Sequence, residues 1–235
     1  MAVVGSNLTN NVDEVDRNSY TTASITPTAN NLILLTVVNR SSDSVTTVPT
    51  ASGNGLTYVQ VSSNAYDVSV PSMRTITVFR AMGSSPSTGA ITIDFAGVTQ
   101  TDCLWSVDQF SGIDTSGTNG SGAIVQSATA IDANGGLVQV TLSAFGSADN
   151  ATFGAFGGAS TTAVTAGSGF TLLGAKQSLN NTELGTEWKA TNDTTVDATL
   201  FAANSGGIAI EIKAAAVAGG TVTRIIANPV ASISS

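Results

Sequence analysis

Apolar side chains in this chain recur at every second residue, in short runs cut off by Gly, Asn, Ser or Pro. That is the period of a strand with one covered face. Over 89–95, Ile91, Ile93 and Phe95 share one face while Thr92 and Asp94 share the other. Ile76 and Val78 alternate with Thr75 and Thr77, and Val138, Val140 and Leu142 with Gln139 and Thr141. Near the end Ile208, Ile210 and Ile212 are expected to face inward and Glu211 and Lys213 to face water. The run 32–38 is apolar on both faces, which predicts a central, well-protected strand covered on each side. Further strands are predicted over 20–25, 57–61, 104–110, 123–128, 151–156, 170–173, 186–190 and 196–201, about thirteen in all.

No run has the amphipathic period of a crossover helix, so a parallel α/β fold is excluded. The Asn-rich piece 179–184 reads as a loop. The expected fold is all-β: an antiparallel two-sheet β-sandwich, jelly-roll-like, with extended N- and C-terminal arms. Residues 1–19 form the N-terminal arm, 20–215 the sandwich and 216–235 the C-terminal arm. The Gly- and Ser-rich stretches 111–122 and 154–169 are long loops, the second around a weak strand at 161–165. Past the Gly219-Gly220 hinge, Val222, Ile225 and Ile226, followed by Pro229, form a candidate interaction arm. It either folds back as an edge strand or pairs with a neighbouring subunit by strand addition.

Charge is scarce. Only 10% of the 235 residues are Asp, Glu, Lys or Arg, there is no histidine, and the net charge is −8, against about a quarter charged in ordinary soluble domains. The acidic balance and the scattered basic residues argue against nucleic acid as a partner. No run reaches the length of a membrane span, and the N-terminal residues do not have the pattern of a secretory signal. Cys103 is alone, which excludes an intrachain disulfide and a cysteine-rich zinc site and reads as a small buried hydrophobe.

Without histidine, neither a Ser-His-Asp triad, a Cys-His pair nor a histidine-ligated zinc can be assembled. No phosphate-binding glycine loop is present. Paired carboxylates remain, with Glu183, Glu187 and Glu211 as candidates. Glu187 and Lys189 flank Trp188, as Glu211 and Lys213 flank Ile212, so these charges are expected to point outward and form weak cross-strand pairs. Asp13, Glu14 and Asp16 lie close together without the spacing of a calcium loop, and Asp108, Asp114, Asp193 and Asp197 are weaker oxygen donors still. No cofactor, metal or catalytic residue is assigned. Glycan stacking needs exposed rings, and Trp188 and Trp105 are the candidates ahead of Tyr20, Tyr58 and Tyr66, although both tryptophans sit in core-like patterns.

Residues 104–213 resemble a family of bacteriophage virion proteins and bacterial proteins of phage-like origin. The likeness rests on Trp105-Ser106-Val107-Asp108-Gln109-Phe110-Ser111-Gly112-Ile113-Asp114-Thr115-Ser116, on Gly167-Ser168-Gly169-Phe170, on Glu187-Trp188-Lys189 and on Ile208-Ala209-Ile210-Glu211-Ile212-Lys213. It implies a non-enzymatic β-sandwich component of the particle, a capsid decoration or fibre-like protein, assembled in the host cytoplasm and displayed on the virion exterior. The partners it implies are the major capsid protein or other virion subunits, together with further copies in a homo-oligomer. The alternative expectation is a carbohydrate-binding module or adhesin domain that recognises host-surface glycans.

Overall fold

The computed structural model describes residues 2–42, 47–69, 72–133, 135–202 and 204–216. The chain is all-β and antiparallel. Its strands are β1 (Val4–Asp13), β2 (Ser19–Thr21), β3 (Leu32–Ser41), β4 (Thr50–Gly53), β5 (Leu56–Thr57), β6 (Val59–Asp67), β7 (Met73–Ala81), β8 (Ile91–Asp94) and β9 (Asp102–Ser111). They continue with β10 (Ile124–Asp132), β11 (Gly136–Thr141), β12 (Ala151–Gly158), β13 (Thr165–Ala166), β14 (Thr171–Ser178), β15 (Thr182–Lys189), β16 (Thr195–Leu200) and β17 (Ser205–Ile212). A single 3-10 turn at Ser121–Ala123 is the one helical element among the described residues. Of the piece 179–184 expected to be a loop, residues 179–181 form the turn between β14 and β15, whereas Thr182, Glu183 and Leu184 already belong to β15.

Four sheets stack as four layers. The first inner sheet has the order β1-β9-β3-β7-β6 and the second inner sheet β10-β17-β12-β15-β14. Their facing sides bury Leu34, Val38, Leu104 and Phe110 against Phe153, Leu184, Ile208 and Ile210. Phe110 meets Phe153 edge-on at 5.8 Å between ring centroids, a geometry that adds about 0.5–1.5 kcal/mol to the area buried. The first outer sheet, β2-β8-β4-β5, closes a second core with Tyr20, Ile91 and Ile93 over Ile33, Leu35 and Trp105. The second outer sheet, β11-β16-β13, closes a third with Val138, Val140 and Val196 over Phe156 and Ala209. Strand β3 is therefore covered on both faces, and Leu32 through Leu35 are fully buried.

The two halves repeat one winding. Matching β1 to β10, β2 to β11, β3 to β12, β4 to β13, β6 to β14, β7 to β15, β8 to β16 and β9 to β17 maps the first inner sheet onto the second, strand for strand, and the first outer sheet onto the second apart from β5. The inner sheets meet about an approximate two-fold axis: β1 lies against β14 and β6 against β10, while β9 faces β14 and β15 as β17 faces β6 and β7. This is the isologous contact of a symmetric dimer, held within one chain. At the axis Ile113 bridges Ala214. There the Asp114 N–H donates to the Lys213 carbonyl at 2.9 Å, and the Ala215 N–H donates to the Gly112 carbonyl at 2.8 Å. The span 20–215 thus holds two sandwiches in tandem, and β1 takes up most of the stretch assigned to an N-terminal arm.

Sequence carries a trace of the repeat. Thr50-Ala51-Ser52-Gly53-Asn54-Gly55-Leu56-Thr57 matches Thr165-Ala166-Gly167-Ser168-Gly169-Phe170-Thr171 with one residue omitted. Gly55 and Gly169 share a left-handed backbone, φ +66 and +78, where a side chain is strained. Leu56 packs on the first outer core and Phe170 on the second.

Two expectations about charge direction are overturned. Glu211 is fully buried and Glu187 is 1% exposed, although the alternation predicts that both face water. The alternation is real, but the polar side of β15 and β17 is covered by the second outer sheet and its loops. An alternating strand reads as half-wet only when one face lacks a neighbour.

Candidate functional site

The side chains with chemistry are dispersed by the four layers. Glu183 and Glu187 lie on one face of β15, between the second inner and outer sheets. Both Glu183 oxygens and Glu187 Oε1 are buried without a hydrogen-bond partner. Burial pushes Glu183 up to about 7 and Glu187 up to about 8. For Glu187 the Gly167 N–H, donating to Oε2 at 2.8 Å, opposes that rise and the charges of Asp197 and Asp193 add to it. Asp108 is enclosed between the inner sheets, where Asn7 Nδ2 donates at 2.8 Å and Ser106 Oγ at 3.1 Å; burial raises it to about 6. Cys103 is fully buried, and its thiol is pushed up by desolvation.

A second polar cluster joins the two sandwiches at the β14–β15 turn. Arg74 on β7 pairs with Asp67 of β6, both side chains at 5% exposure or less. Arg74 Nη2 also donates to the Asn181 carbonyl at 2.9 Å. Arg40 donates to the Asn180 carbonyl at 3.1 Å. Asp102 Oδ2 accepts from Ser178 at 2.7 Å and from Thr182 at 3.1 Å. Burial raises Asp102 to about 6, while those hydroxyls and the two arginines pull it down. Asp13 pairs with Arg17 at 3.4 Å, and Glu14 accepts from the Leu179 N–H. Among the described residues no group of three or more acids is placed to hold a metal ion.

A concavity among the described residues lies at the end of the second sandwich. It has a volume of about 590 Å³ and is bounded by the start of β10, the loop before β12 and the end of β17 with residues 213–216. Glu211 anchors it. Asn150 Nδ2 donates to Oε1 and Gln126 Nε2 to Oε2, each at 2.6 Å. Asn150 Oδ1 in turn accepts from the Ala214 N–H at 3.1 Å, and Gln126 Oε1 accepts from the Ser143 N–H at 3.0 Å. Both carboxylate oxygens are thus engaged by amides, which leaves Glu211 holding loops and not poised for proton transfer. Lys213 pairs with Asp114 at 2.7 Å. Together with the Ser116 hydrogen bonds, this holds the Asp114 carboxyl down at about 2. Ile124 and Val125 face residues 214–216 across the wall, and Ser147 and the exposed Asp149 add polar groups to it.

The aromatic candidates are spent on packing. Trp105 is 2% exposed within the first outer core, so neither face is open to a sugar. Trp188 is half-buried and stacks edge-on against Phe110 at 6.1 Å. Tyr20 and Tyr66 are buried, and Tyr58 Oη donates to Asn54 Oδ1 at 3.3 Å. Trp188→Ala is expected to lower stability by about 1–2 kcal/mol, less than a fully buried aromatic, which a urea titration reads directly. Val222, Ile225, Ile226 and Pro229 lie outside the described residues.

The clamp of Gln126 and Asn150 on Glu211 and the Arg74 cluster escape sequence reasoning, because lone polar residues in alternating strands look outward. The repeated Thr-Ala-Gly-Gly-Thr turn is the signal that leads to the two-fold arrangement and so to the pocket. No protein family, curated protein or solved structure matches the chain.

Proposed function

We propose that the chain is a non-enzymatic structural component of a phage particle, a capsid decoration or stabilising protein bound to neighbouring subunits on the exterior. The observation that carries this reading is where the ionisable groups sit. Asp102, Asp108, Glu183, Glu187 and Glu211 are all withdrawn between sheets or clamped by amides, so the surface is rich in hydroxyls and amides, with scattered charges such as Asp16, Asp94 and Asp149 and apolar side chains such as Leu179 and Phe201. The strand orders β1-β9-β3-β7 over β2-β8-β4-β5, repeated in the second half, support a jelly-roll winding used twice, with β6 and β14 as added edge strands. The resemblance over 104–213 supports the virion setting.

Attachment through such a skin depends little on ionic strength, since few charges are available to be screened. In electron microscopy of native particles, an antibody raised against the chain is expected to label a regular array on the shell. The label should remain after a wash in about 1 M salt. Label absent from the particles, or purified chain turning over a polysaccharide, overturns the reading.

A further inference from the structure

We infer that the edge strand β11 pairs with β11 of a second copy of the chain, antiparallel about Gln139, so that two outer sheets join into one across a two-fold axis. This goes beyond the structural-protein reading, and nothing in it depends on a particle.

Strand β11 has a neighbour on one side only, β16. Thr141 lies opposite Thr195, and the next residue, Leu142, donates its N–H to the Thr194 carbonyl at 2.9 Å. Bonded positions alternate along an antiparallel ladder. Gly136, Val138 and Val140 therefore bond to β16, while Leu137, Gln139 and Thr141 turn their N–H and C=O groups away from it. Ser143 continues that outward series, and both of its groups are taken. Its N–H donates to Gln126 Oε1 and its carbonyl accepts from Gln126 Nε2, each at 3.0 Å. The Gln126 amide thus stands where a neighbouring strand would stand and closes the edge at that end. Leu137, Gln139 and Thr141 have no such cover and are exposed.

The other sheet edges are guarded. Strands β1, β6, β10 and β14 each carry a break in register, which twists an edge away from a flat template. In addition β1 lies against β14 and β6 against β10, where Asn64 Nδ2 donates to the Ala130 carbonyl at 2.8 Å. Strands β2, β5 and β13 are three residues long or shorter. By contrast β11 has six residues, Gly136–Thr141, in unbroken register and without a proline or a charge. A flat, uncharged edge of that kind templates pairing with another chain.

A second copy is the strand that fits, because the sequence of β11 complements its own reverse. Pairing about Gln139 sets Leu137 beside Thr141 of the second copy, Gln139 beside Gln139, and Thr141 beside Leu137. These are the outward positions, so each facing pair exchanges both N–H···O bonds. On the buried face Val138 comes beside Val140 of the second copy, which continues the apolar row that closes the third core. Leu137, 50% exposed, gains the Thr141 methyl as a neighbour. No charge on one β11 meets a charge on the other, although the whole chain carries −8. The contact is isologous, so it uses both edges and closes at two copies.

Sedimentation equilibrium of the full chain at micromolar concentration is expected to show a dimer; a monomer overturns the proposal. Gln139 meets its twin on the axis, and as an exposed residue it can be changed without loss of the fold. Gln139→Lys alone and Gln139→Glu alone are each expected to weaken the dimer several-fold, because like charges then face each other. An equimolar mixture of the two should recover the affinity of the parent. Variants that dimerise as the parent does place the contact elsewhere and overturn the proposal, as does a mixture that stays as weak as its components. Cys103 is buried, so an added thiol can be read by itself. With a short bis-maleimide, Gln139→Cys is expected to give cross-linked dimers and Thr165→Cys, on the opposite edge of the same sheet, is not. Equal cross-linking of the two overturns the assignment to β11. These readouts use the purified chain, so they can fail while particle labelling succeeds, and the reverse.

Discussion

Arg74→Ala is expected to destabilise the protein by about 3–5 kcal/mol, the cost of breaking a buried ion pair from one side. Arg74 and Asp67 have side-chain exposures of 4% and 5%. With the guanidinium gone, Asp67 Oδ1 keeps Ser69, whose hydroxyl donates at 2.6 Å, while Oδ2 loses its charged partner in a space water does not reach. The effect extends beyond the pair. Arg74 also donates to the Asn181 carbonyl and, from Nε, to Thr182 Oγ1 at 3.4 Å, so it ties the β14–β15 turn of the second sandwich to the first. Urea unfolding should show a lower midpoint together with a broader transition, because the halves lose one of their polar joints. Replacing both partners with apolar residues of similar size, Arg74→Met with Asp67→Leu, should recover much of the loss, since no lone charge is then left inside. A single variant costing under about 1 kcal/mol would show that water reaches the pair after all.

How far a sequence reveals such a fold depends on what each pattern can report. Strand positions are legible because period-two alternation is local. Strand β3, apolar on both faces, announces its cover. The second inner sheet does not, because β12 achieves two-sided burial with Ala151, Gly154, Ala155, Gly157 and Gly158 and not with branched residues. Those small residues admit large neighbours: a Cβ on Gly157 would lie 3.0 Å from both Tyr66 Oη and Val38 Cγ2. From sequence the same residues look like a weak edge or a loop. Glu187 and Glu211 mislead for a related reason, since alternation shows which residues share a face and is silent on whether another sheet covers it. The stacking of two sandwiches is a long-range fact, and its one local trace is the paired turn at Leu56 and Phe170.

That hidden cover has its largest consequence at Glu183 and Glu187. Both have folded-state values above the ordinary glutamate value, about 7 and about 8, so between the unfolded value near 4.5 and those values the folded protein binds more protons than the unfolded one. Stability therefore falls as pH rises through that window. It is fully retained below about 4.5 and lost progressively up to about 8. Asp102 and Asp108, raised to about 6, add in the same direction at the lower end; Asp114 and Asp193, held low by their lysines, act oppositely only below about 4. Around Glu183, Gly158, Leu200 and Ala202 offer no donor, and around Glu187 the Gly167 N–H is set against the charges of Asp193 and Asp197. Glu183→Gln with Glu187→Gln keeps shape and removes the titration. At pH 8 the double variant is expected to be more stable than the parent by about 3 kcal/mol, the scale of two buried polar groups relieved of an uncompensated charge. Its thermal midpoint should change little between pH 6 and 8.5, while that of the parent falls by several degrees. Parallel curves for the two proteins would mean that the outer sheet opens enough to hydrate the carboxylates, and the second sandwich would then be the looser half of the pair.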